Sequence, residues 1–410
     1  MRYSFLFALL TAIAGISARA QNLPSLVLNR NINSTFSIVG YDPQAKEWGI
    51  TVATNNIYVG NSTCYIQPGI GAISVIAETE PAYGINGLEQ LKQGRSMEEA
   101  INYCRSKDTM ADYRQVSGID GRGNAYAFTG SSLQYWKGTS THHIGKFHVV
   151  MGNQLAEATL SAMSAAFEQA NGTLAQRLLK SLIAGEKAGG QITGKQSAAL
   201  IVKGEENEWF NQIDLRVDHS RDPFTDLQRL LNYHYGRIQV NQAMNAIGMK
   251  DLSRGRQLLA DAEKKTVGWY GLYSNIAKAH LMLGERAAAI RLIKAAISGE
   301  PKWKENVPAF YCLYDDPTIR SLYPERQFSV IDWGNAISML TDLNRNGEAI
   351  GLARKMVKKY PGSSYLWYLL ARAERDAGDG EAAVRDNGTA LKFDPGNADA
   401  GRFQKELDRK

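Results

Sequence analysis

The sequence has few cysteines. Its 410 residues include three, Cys64, Cys104 and Cys312, so at least one thiol has no partner within the chain, and their spacings match no metal-binding or redox motif. A chain of this length can bury a core without covalent cross-links. The class of small disulfide-stapled domains is therefore excluded, and the fold is expected to rest on packing.

Several catalytic motifs are absent as well. The sequence contains no G-x-S-x-G nucleophile elbow, no H-E-x-x-H zinc motif and no phosphate-binding glycine loop. The segment HHIGKFH begins with His142 and His143, but neighbouring residues on a strand point to opposite faces, so these side chains are poorly placed to bind one ion. We therefore expect neither a metal nor another cofactor.

A strong charge imbalance is also missing. The 47 basic and 41 acidic residues give a net charge of +6, which is small for the length, and the basic residues form no block. We therefore expect no nucleic-acid partner. Hydrophobic residues make up 44% and charged residues 21% of the chain, as in globular proteins, and the length predicts two or more domains.

Long apolar runs are limited to one, FLFALLTAIAGI, which follows Arg2 and precedes the small residues Ala18 and Ala20. This pattern is typical of a secretory signal peptide over residues 1–20, cleaved after Ala20. The run is too short to span a bilayer, although a retained N-terminal anchor is an alternative. We expect a periplasmic or secreted protein with no transmembrane span in the mature chain and a linker or propeptide over residues 21–34.

Residues 35–236 alternate between blocks of strands and blocks of helices. Ser96 and Glu99 form a capping box, S-x-x-E, that marks the start of one helix. Strands in runs followed by helices in runs predict antiparallel sheets with helices packed outside them. The predicted strands are TFSIVGY, EWGITVAT, GIGAISVIA, RQVSGID, NAYAFTG, THHIGKFHVVMG, SAALIVKG and WFNQIDLRVD.

Residues 237–410 are helical and repetitive. Three segments, about 270–303, 330–363 and 364–397, share a period of about 34 residues, which is the tetratricopeptide pattern. Their small residues let two helices approach closely, and a proline ends the second helix. An arbitrary helical bundle is the alternative. The matching positions are Tyr273, Trp333 and Trp367, then Ala289, Ala349 and Ala383, then Pro301, Pro361 and Pro395.

Five segments of the first region, in this order, resemble the bacterial family named domain of unknown function 1028. They are TFSIVGYDPQAKEWGITVAT, PAYGINGLEQLKQG, RQVSGIDGRGNAYAFTG, GKQSAALIV and LRVDHSRDP. The resemblance covers about Thr35 to Leu231. It implies an N-terminal-nucleophile (Ntn) hydrolase fold, a four-layer αββα sandwich of antiparallel sheets, followed here by the all-α repeats.

The same resemblance implies that Thr35 is the nucleophile of an amide hydrolase. A threonine hydroxyl needs an adjacent base, and a free α-amine on Thr35, with a pKa of roughly 8, supplies it. Many family members begin with a sequence similar to M-T-F-S-I-V, in which removal of the initial Met exposes the equivalent threonine. Here a cut between Ser34 and Thr35 is required, and the hydroxyl after that bond suggests self-cleavage.

The resemblance also implies the residues that support Thr35. In the strand after it, Thr54 or Asn55 is expected near the nucleophile, and a residue around Gln67 is expected from the third strand. Asn153 is expected to donate to a developing oxyanion. For each of these residues the alternative is a hydrogen-bonded side chain at a strand end. The pocket is also expected to include Gln196 and Ser197.

Three positions depart from the family pattern. Val75 and Ile76 stand where the family has a Thr-Gln pair, and Gln191 replaces an aspartate. The sequence leaves two functions open: an exported amidohydrolase that acts on a small amide or peptide, or an inactive Ntn-like scaffold. In either case the repeats are expected to offer a concave surface to a protein or peptide partner. The substrate and the oligomeric state are not specified.

Overall fold

The structure, a computed structural model, describes residues 34–208 and 211–408. The expected signal peptide, residues 1–20, and all but the last residue of the predicted propeptide lie outside the described residues. The chain divides into two compact units between Leu231 and Asn232. Among the described residues, no helix combines the length and the apolar character needed to cross a membrane.

The described part of the first unit contains ten strands and four complete helices. The strands are β1 (Thr35–Asp42), β2 (Glu47–Thr54), β3 (Cys64–Gln67), β4 (Gly71–Ala77), β5 (Arg114–Asp120), β6 (Ala125–Thr129), β7 (Thr139–Gly145), β8 (His148–Leu155), β9 (Ser197–Gly204) and β10 (Ile213–Val217). The helices are α1 (Ala82–Lys92), α2 (Met97–Arg105), α3 (Thr159–Gln169) and α4 (Leu174–Lys187). A longer helix, α5 (Pro223–Gly248), begins in this unit and continues into the next.

These strands form two antiparallel sheets. The larger has the order β10-β9-β2-β1-β8-β7 and the smaller the order β3-β4-β5-β6. The central strands β1 and β2 are almost wholly buried, because one face meets the other sheet and the opposite face meets helices. This strand order brings the start of β1 beside the ends of β2 and β8.

Helices cover the outer face of each sheet. On the smaller sheet, Ile73 packs with Met97 and Ile101 of α2. On the larger sheet, Gly49 of β2 lets α4 approach closely, since an added Cβ would lie 2.4 Å from a methyl group of Leu178. The first unit is therefore an αββα sandwich of antiparallel sheets, and the predicted fold class is confirmed. The predicted capping box at Ser96 is also confirmed.

The layer between the sheets changes along its length. Near the β1–β2 turn it is apolar and contains Val39, Ile50 and Ile119. Toward the start of β1 the facing side chains become polar, beginning with the hydrogen bond of Ser37 to Ser74, 3.0 Å long. The polar end of this layer is where the expected site residues meet.

Two strand predictions differ from the structure. The segment THHIGKFHVVMG is two strands, β7 and β8, joined by a tight turn in which Phe147 has φ 60°. This left-handed position usually carries glycine or asparagine, so a phenylalanine gives no turn signal. Strand β3 was not predicted, because it is only four residues long and half-buried.

The second unit is helical. Its helices are α6 (Leu252–Lys265), α7 (Tyr273–Met282), α8 (Arg286–Gly299), α9 (Pro317–Leu322), α10 (Val330–Asp342), α11 (Asn346–Lys359), α12 (Ser364–Asp376), α13 (Gly380–Phe393) and α14 (Ala398–Leu407). The pairs α7–α8, α10–α11 and α12–α13 fall in the three predicted repeats. The second helix of each pair ends two residues before Pro301, Pro361 or Pro395. Ala289, Ala349 and Ala383 are completely buried, as close helix packing requires.

Candidate functional site

Thr35 is the first residue of β1 and faces the smaller sheet, as Ser37 does, because alternate residues of a strand share a face. Its partners on the neighbouring strands are Thr54 of β2 and Asn153 of β8. Only 7% of Thr35 is exposed. The Oγ1 atoms of Thr35 and Thr54 lie 2.8 Å apart, so two of the expected residues are in direct contact.

The carbonyl oxygen of Ser34 lies in a cradle of three hydrogen-bond donors. Thr54 Oγ1 donates to it at 3.0 Å, Asn55 N at 3.1 Å and Gln191 Nε2 at 2.5 Å. The hydroxyl of Thr54 has one hydrogen and uses it on this carbonyl. The hydroxyl of Thr35 must therefore be the donor in its bond with Thr54.

The side chain of Ser34 is held as firmly as its carbonyl. Ser34 has no exposed surface, and its Oγ lies 2.6 Å from Thr193 Oγ1 and 3.2 Å from Gln191 Nε2. Thr193 is itself fixed, because its carbonyl accepts from Asn55 Nδ2 at 2.9 Å. Residues 191–193 thus close over Ser34 from the loop that precedes β9.

The orientation of the Asn153 side chain follows from its neighbour Gln115. Gln115 Nε2 donates to the backbone carbonyls of Gly152 at 2.9 Å and Thr141 at 3.2 Å. Carbonyls only accept, so Gln115 Oε1 must face Asn153, and it accepts from Asn153 Nδ2 at 3.0 Å. One amide hydrogen of Asn153 is therefore committed to Gln115, while its Oδ1 atom has no partner among the described residues.

Two buried amide oxygens without a hydrogen-bond partner in the described chain belong to residues next to the Ser34–Thr35 bond, Asn153 Oδ1 and Gln191 Oε1. The hydroxyl of Ser197, which can donate or accept, has no partner there either. Ser197 is the strand partner of Thr54. Buried polar atoms are nearly always paired, so a group of unpaired acceptors predicts that a further donor enters this space.

The side chains that hydrogen-bond to Ser34 and Thr35 in the described residues are all uncharged. A charge lies close by in sequence, at Lys195, which bridges Glu186 at 3.2 Å and Asp222 at 3.4 Å. Burial alone would lower the pKa of Lys195, but hydrogen bonds and attraction from the two carboxylates outweigh it and raise the pKa. This lysine is committed to its own ion pairs.

Two expected residues contribute less to this site. Gln67 pairs with Gly71 at the turn between β3 and β4, at the apolar end of the sandwich, so the structure does not bring it to Thr35. Gln196 donates from its backbone N to the carbonyl of Thr54 at 3.0 Å, but its side chain lies 3.1 Å from Nδ1 of His219. Ile76, which departs from the family pattern, packs with Val52 and Met151 in an apolar cluster between the sheets.

Sequence reasoning missed Gln115 and Thr193. Gln115 is a polar residue in a strand that is buried from Gln115 to its end, and a buried glutamine in such a pattern is a signal of an internal hydrogen-bond role. Thr193 gave no signal, because its role depends on contact with a residue 159 positions earlier.

Other reactive groups of the described chain are poorly suited to catalysis. Burial raises the pKa of the Cys64 thiol to about 12 and that of Cys104 to about 11, so both stay protonated at neutral pH. Within residues 34–208 and 211–408, no group of three or more His, Cys, Asp or Glu residues could hold a metal ion. His142 instead lies 2.9 Å from the hydroxyl of Thr129.

Fold and site together define an αββα sandwich with a threonine at the head of a central strand, followed by tetratricopeptide-like helix pairs. The model of a family of unknown function, DUF1028, matches residues 35–227. A solved protein of that family from Silicibacter pomeroyi is 31% identical, with 48% of this chain and 84% of that chain covered and a TM-score of 0.45. The chain belongs to the DUF1028 family.

One further solved structure matches at low similarity. The TPR domain of P58(IPK) is 12% identical, with 42% of this chain and 55% of that chain covered and a TM-score of 0.21. No curated protein matches the chain.

Proposed function

We propose that the first unit is an amide hydrolase of the Ntn type, which uses Thr35 after the Ser34–Thr35 bond has been cleaved. The observation that carries the proposal is the cradle of three donors on the Ser34 carbonyl oxygen, beside the Thr35 hydroxyl. Donors placed around a carbonyl polarise it and stabilise the oxyanion that forms when a nucleophile attacks.

The cleavage step needs only groups of this chain and water. Thr35 Oγ1 attacks the carbonyl carbon of Ser34, a C–O bond forms, and the C–N bond to Thr35 breaks. The hydroxyl proton passes to Thr54, to which it already points, while Thr54 releases its own proton, so that one proton in all is relayed to the departing nitrogen of Thr35. Water then hydrolyses the ester, which leaves a carboxylate on Ser34 and a free α-amine and hydroxyl on Thr35.

The freed amine then serves as the base in turnover. Its unperturbed pKa of roughly 8 leaves a useful neutral fraction near pH 7, and it takes the hydroxyl proton while Thr35 Oγ1 attacks a substrate amide. The unpaired amide oxygens of Asn153 and Gln191 support the proposal, because an amine carries more N–H donors than the peptide nitrogen it replaces. In this scheme Asn153 Oδ1 accepts a hydrogen bond from the amine. The second amide hydrogen of Asn153 is the one that would donate to an oxyanion, and that role stays a prediction.

The location and the helical unit complete the proposal. The signal-like pattern of residues 1–20 supports export to the periplasm or beyond, where the protein meets small amides or peptides. The tetratricopeptide-like helix pairs support a second role, in which the second unit holds a protein or peptide partner on its concave surface. The partner role does not depend on catalysis at Thr35.

Intact-mass measurement and N-terminal sequencing of purified full-length protein test the catalytic proposal. The expected mature chain begins at Thr35, and a Thr35→Ala chain keeps the peptide bond after Ser34 because the nucleophile is gone. Thr35→Ser is the matched control, since it retains a hydroxyl and is expected to cleave. A wild-type chain that begins at Gln21, or a Thr35→Ala chain that cleaves as fast as the wild type, would contradict the proposal.

A further inference from the structure

We infer that the space filled by Ser34 is the acyl subsite of the enzyme, and that its substrates are amides whose acyl side ends in a small, uncharged, hydroxyl-bearing residue, such as a seryl amide. This inference rests on the proposed function, because it takes Thr35 as the nucleophile for both the self-cleavage and the turnover.

The placement follows from the two groups that every attack shares. In self-cleavage and in turnover, the attacking atom is Thr35 Oγ1 and the oxyanion lies against Thr54, Asn55 and Gln191. With its oxygen against the same donors, the substrate carbonyl carbon lies close to the position of the Ser34 carbonyl carbon, shifted away from the Thr35 nitrogen because the two are not bonded. The part of the substrate attached to that carbon then points into the space that the Cα and side chain of Ser34 now fill.

The walls of this space match a serine side chain. Ser34 Oγ bonds with Thr193 Oγ1 at 2.6 Å and with Gln191 Nε2 at 3.2 Å, and the whole residue is enclosed. A carboxylate or ammonium group there would lose its water without gaining an opposite charge. A leucine side chain is larger than the enclosed serine that it would replace, and it would lose the hydrogen bond with the Thr193 hydroxyl.

The loop that recognises the serine is held in place before any substrate binds. Thr193 is tied to Asn55 through its carbonyl at 2.9 Å, and Ile192 N donates to the carbonyl of Gln154 at 3.1 Å. The loop is therefore fixed to the ends of both strands that flank β1. A subsite built in this way selects among acyl groups by fit, with little rearrangement.

The test uses full-length protein that has cleaved itself before Thr35. Its substrates are four fluorogenic peptide amides that are identical except for the last acyl residue, which is Ser, Ala, Asp or Leu. We expect kcat/KM for the seryl amide to exceed that for the alanyl amide about fivefold to tenfold, the loss typical of one neutral hydrogen bond. We expect the aspartyl and leucyl amides to fall roughly 100-fold below the seryl amide, because their side chains are unpaired or too large.

A matched pair of variants assigns the preference to one contact. Thr193→Val keeps the shape of the side chain but removes the hydroxyl. It is expected to reduce the seryl-to-alanyl ratio severalfold, with the longer bond from Gln191 Nε2 remaining. Thr193→Ser restores a hydroxyl and is expected to restore the preference. A merely structural role for Thr193 would lower both rates and leave their ratio unchanged.

The outcomes separate this inference from the proposed function. If protein with a free Thr35 hydrolyses the leucyl or aspartyl amide as fast as the seryl amide, the subsite assignment is overturned. That result leaves the proposed hydrolase function intact. Protein that begins at Thr35 but hydrolyses none of the four amides overturns the hydrolase, and the subsite assignment falls with it. In that case the rates at which Ser34→Ala, Ser34→Asp and Ser34→Leu chains cleave themselves still show whether the space prefers small neutral residues.

Discussion

The polar groups around the Ser34–Thr35 bond in the first unit are uncharged, whereas the second unit buries a carboxylate, Glu374 of α12. Glu374 has no exposed surface; its Oε1 accepts from Arg354 at 3.0 Å, and its Oε2 has no partner among the described residues. A buried neutral group without a hydrogen-bond partner costs less free energy than a buried charge without a partner. A buried carboxylate must therefore be paired or protonated. The first unit thus buries a neutral polar cluster and the second a charged group.

This difference also separates their response to pH. Burial, and after it the neighbouring carboxylate of Asp386, raise the pKa of Glu374 to about 7, against the attraction of Arg354. Among the described side chains around Thr35, none ionises near neutral pH. We therefore expect the helical unit to respond to pH through its stability, and the site around Thr35 to respond through its new α-amine.

The largest effect is expected from a variant that removes one of the three donors to the Ser34 carbonyl oxygen. Thr54→Val loses the hydroxyl that donates to the Ser34 carbonyl and accepts from Thr35. Loss of one oxyanion donor typically slows a reaction about 100-fold or more, so we expect self-cleavage, followed by intact mass over time, to slow by that factor.

Thr51→Val is the matched control for this variant. Thr51 lies on the same strand and is equally buried, but it donates to the carbonyl of Ala199 and points away from the cradle. Its loss is expected to lower stability slightly and to leave the cleavage rate near that of the wild type. Equal slowing in both variants would show that the cradle has no special role.

A second experiment asks whether the two units depend on separate cores. Ala289→Leu places a larger side chain at a completely buried position where α7 and α8 approach each other. Overpacking of this kind costs roughly 1–3 kcal/mol of unfolding free energy, so we expect the calorimetric transition of the second unit to fall by several degrees. The transition of the first unit is expected to stay in place.

The control is Ala287→Leu, an exposed position on the same helix, which should leave both transitions unchanged. If Ala289→Leu also lowers self-cleavage and the stability of the first unit, the two units do not behave as independent folding units.

The smallest expected effect concerns the buried carboxylate. The folded pKa of Glu374, about 7, is above the usual value of a glutamate, so the folded state binds the proton more tightly than the unfolded state. The stabilisation from this proton is complete below about pH 4.5 and is lost as the pH rises through 7. We expect the second unit to melt roughly 3 °C lower at pH 8 than at pH 6.

Glu374→Gln keeps the shape of the side chain and cannot ionise, so calorimetry at the two pH values should show the contribution of Glu374 removed. A contribution of the same sign is expected to remain from His280, because its burial, which lowers its pKa, is outweighed by hydrogen bonds to Glu263 and Glu285 that raise the pKa. The control is Glu381→Gln, which changes an exposed residue of α13. A pH dependence in Glu374→Gln equal to that of the wild type would mean that another group titrates.

The repeats of the second unit could be predicted because their signals are local. Each helix end lies two residues from its proline, and each close helix crossing is marked by an alanine within the same segment. The αββα fold followed from the alternation of strand and helix blocks and from the family resemblance. The turn at Phe147 could not be predicted, because the residue at the left-handed position is not one that favours it.

The site was predictable only in part, because its contacts join distant segments. Thr35, Thr54 and Asn153 meet through strand pairing, and a strand-end threonine with polar partners on neighbouring strands is visible in the sequence once the family register is known. Gln191 was noticed only as a departure from the family pattern, yet it donates to the Ser34 carbonyl, which an aspartate could not do when ionised. Gln67 was assigned to the third predicted strand, but it ends β3, a separate short strand that the sequence did not indicate.

The enclosed Ser34–Thr35 linkage has a consequence for timing. Nucleophile, target carbonyl and stabilising donors all belong to one polypeptide, so under our proposal each molecule matures in a first-order event whose half-life does not change on dilution. Ser34 would fill its part of the site until that moment, and newly folded copies would pass through a silent interval whose average length is the same at every concentration. Maturation of this kind requires no activating protease, and it is irreversible because the peptide bond is not re-formed.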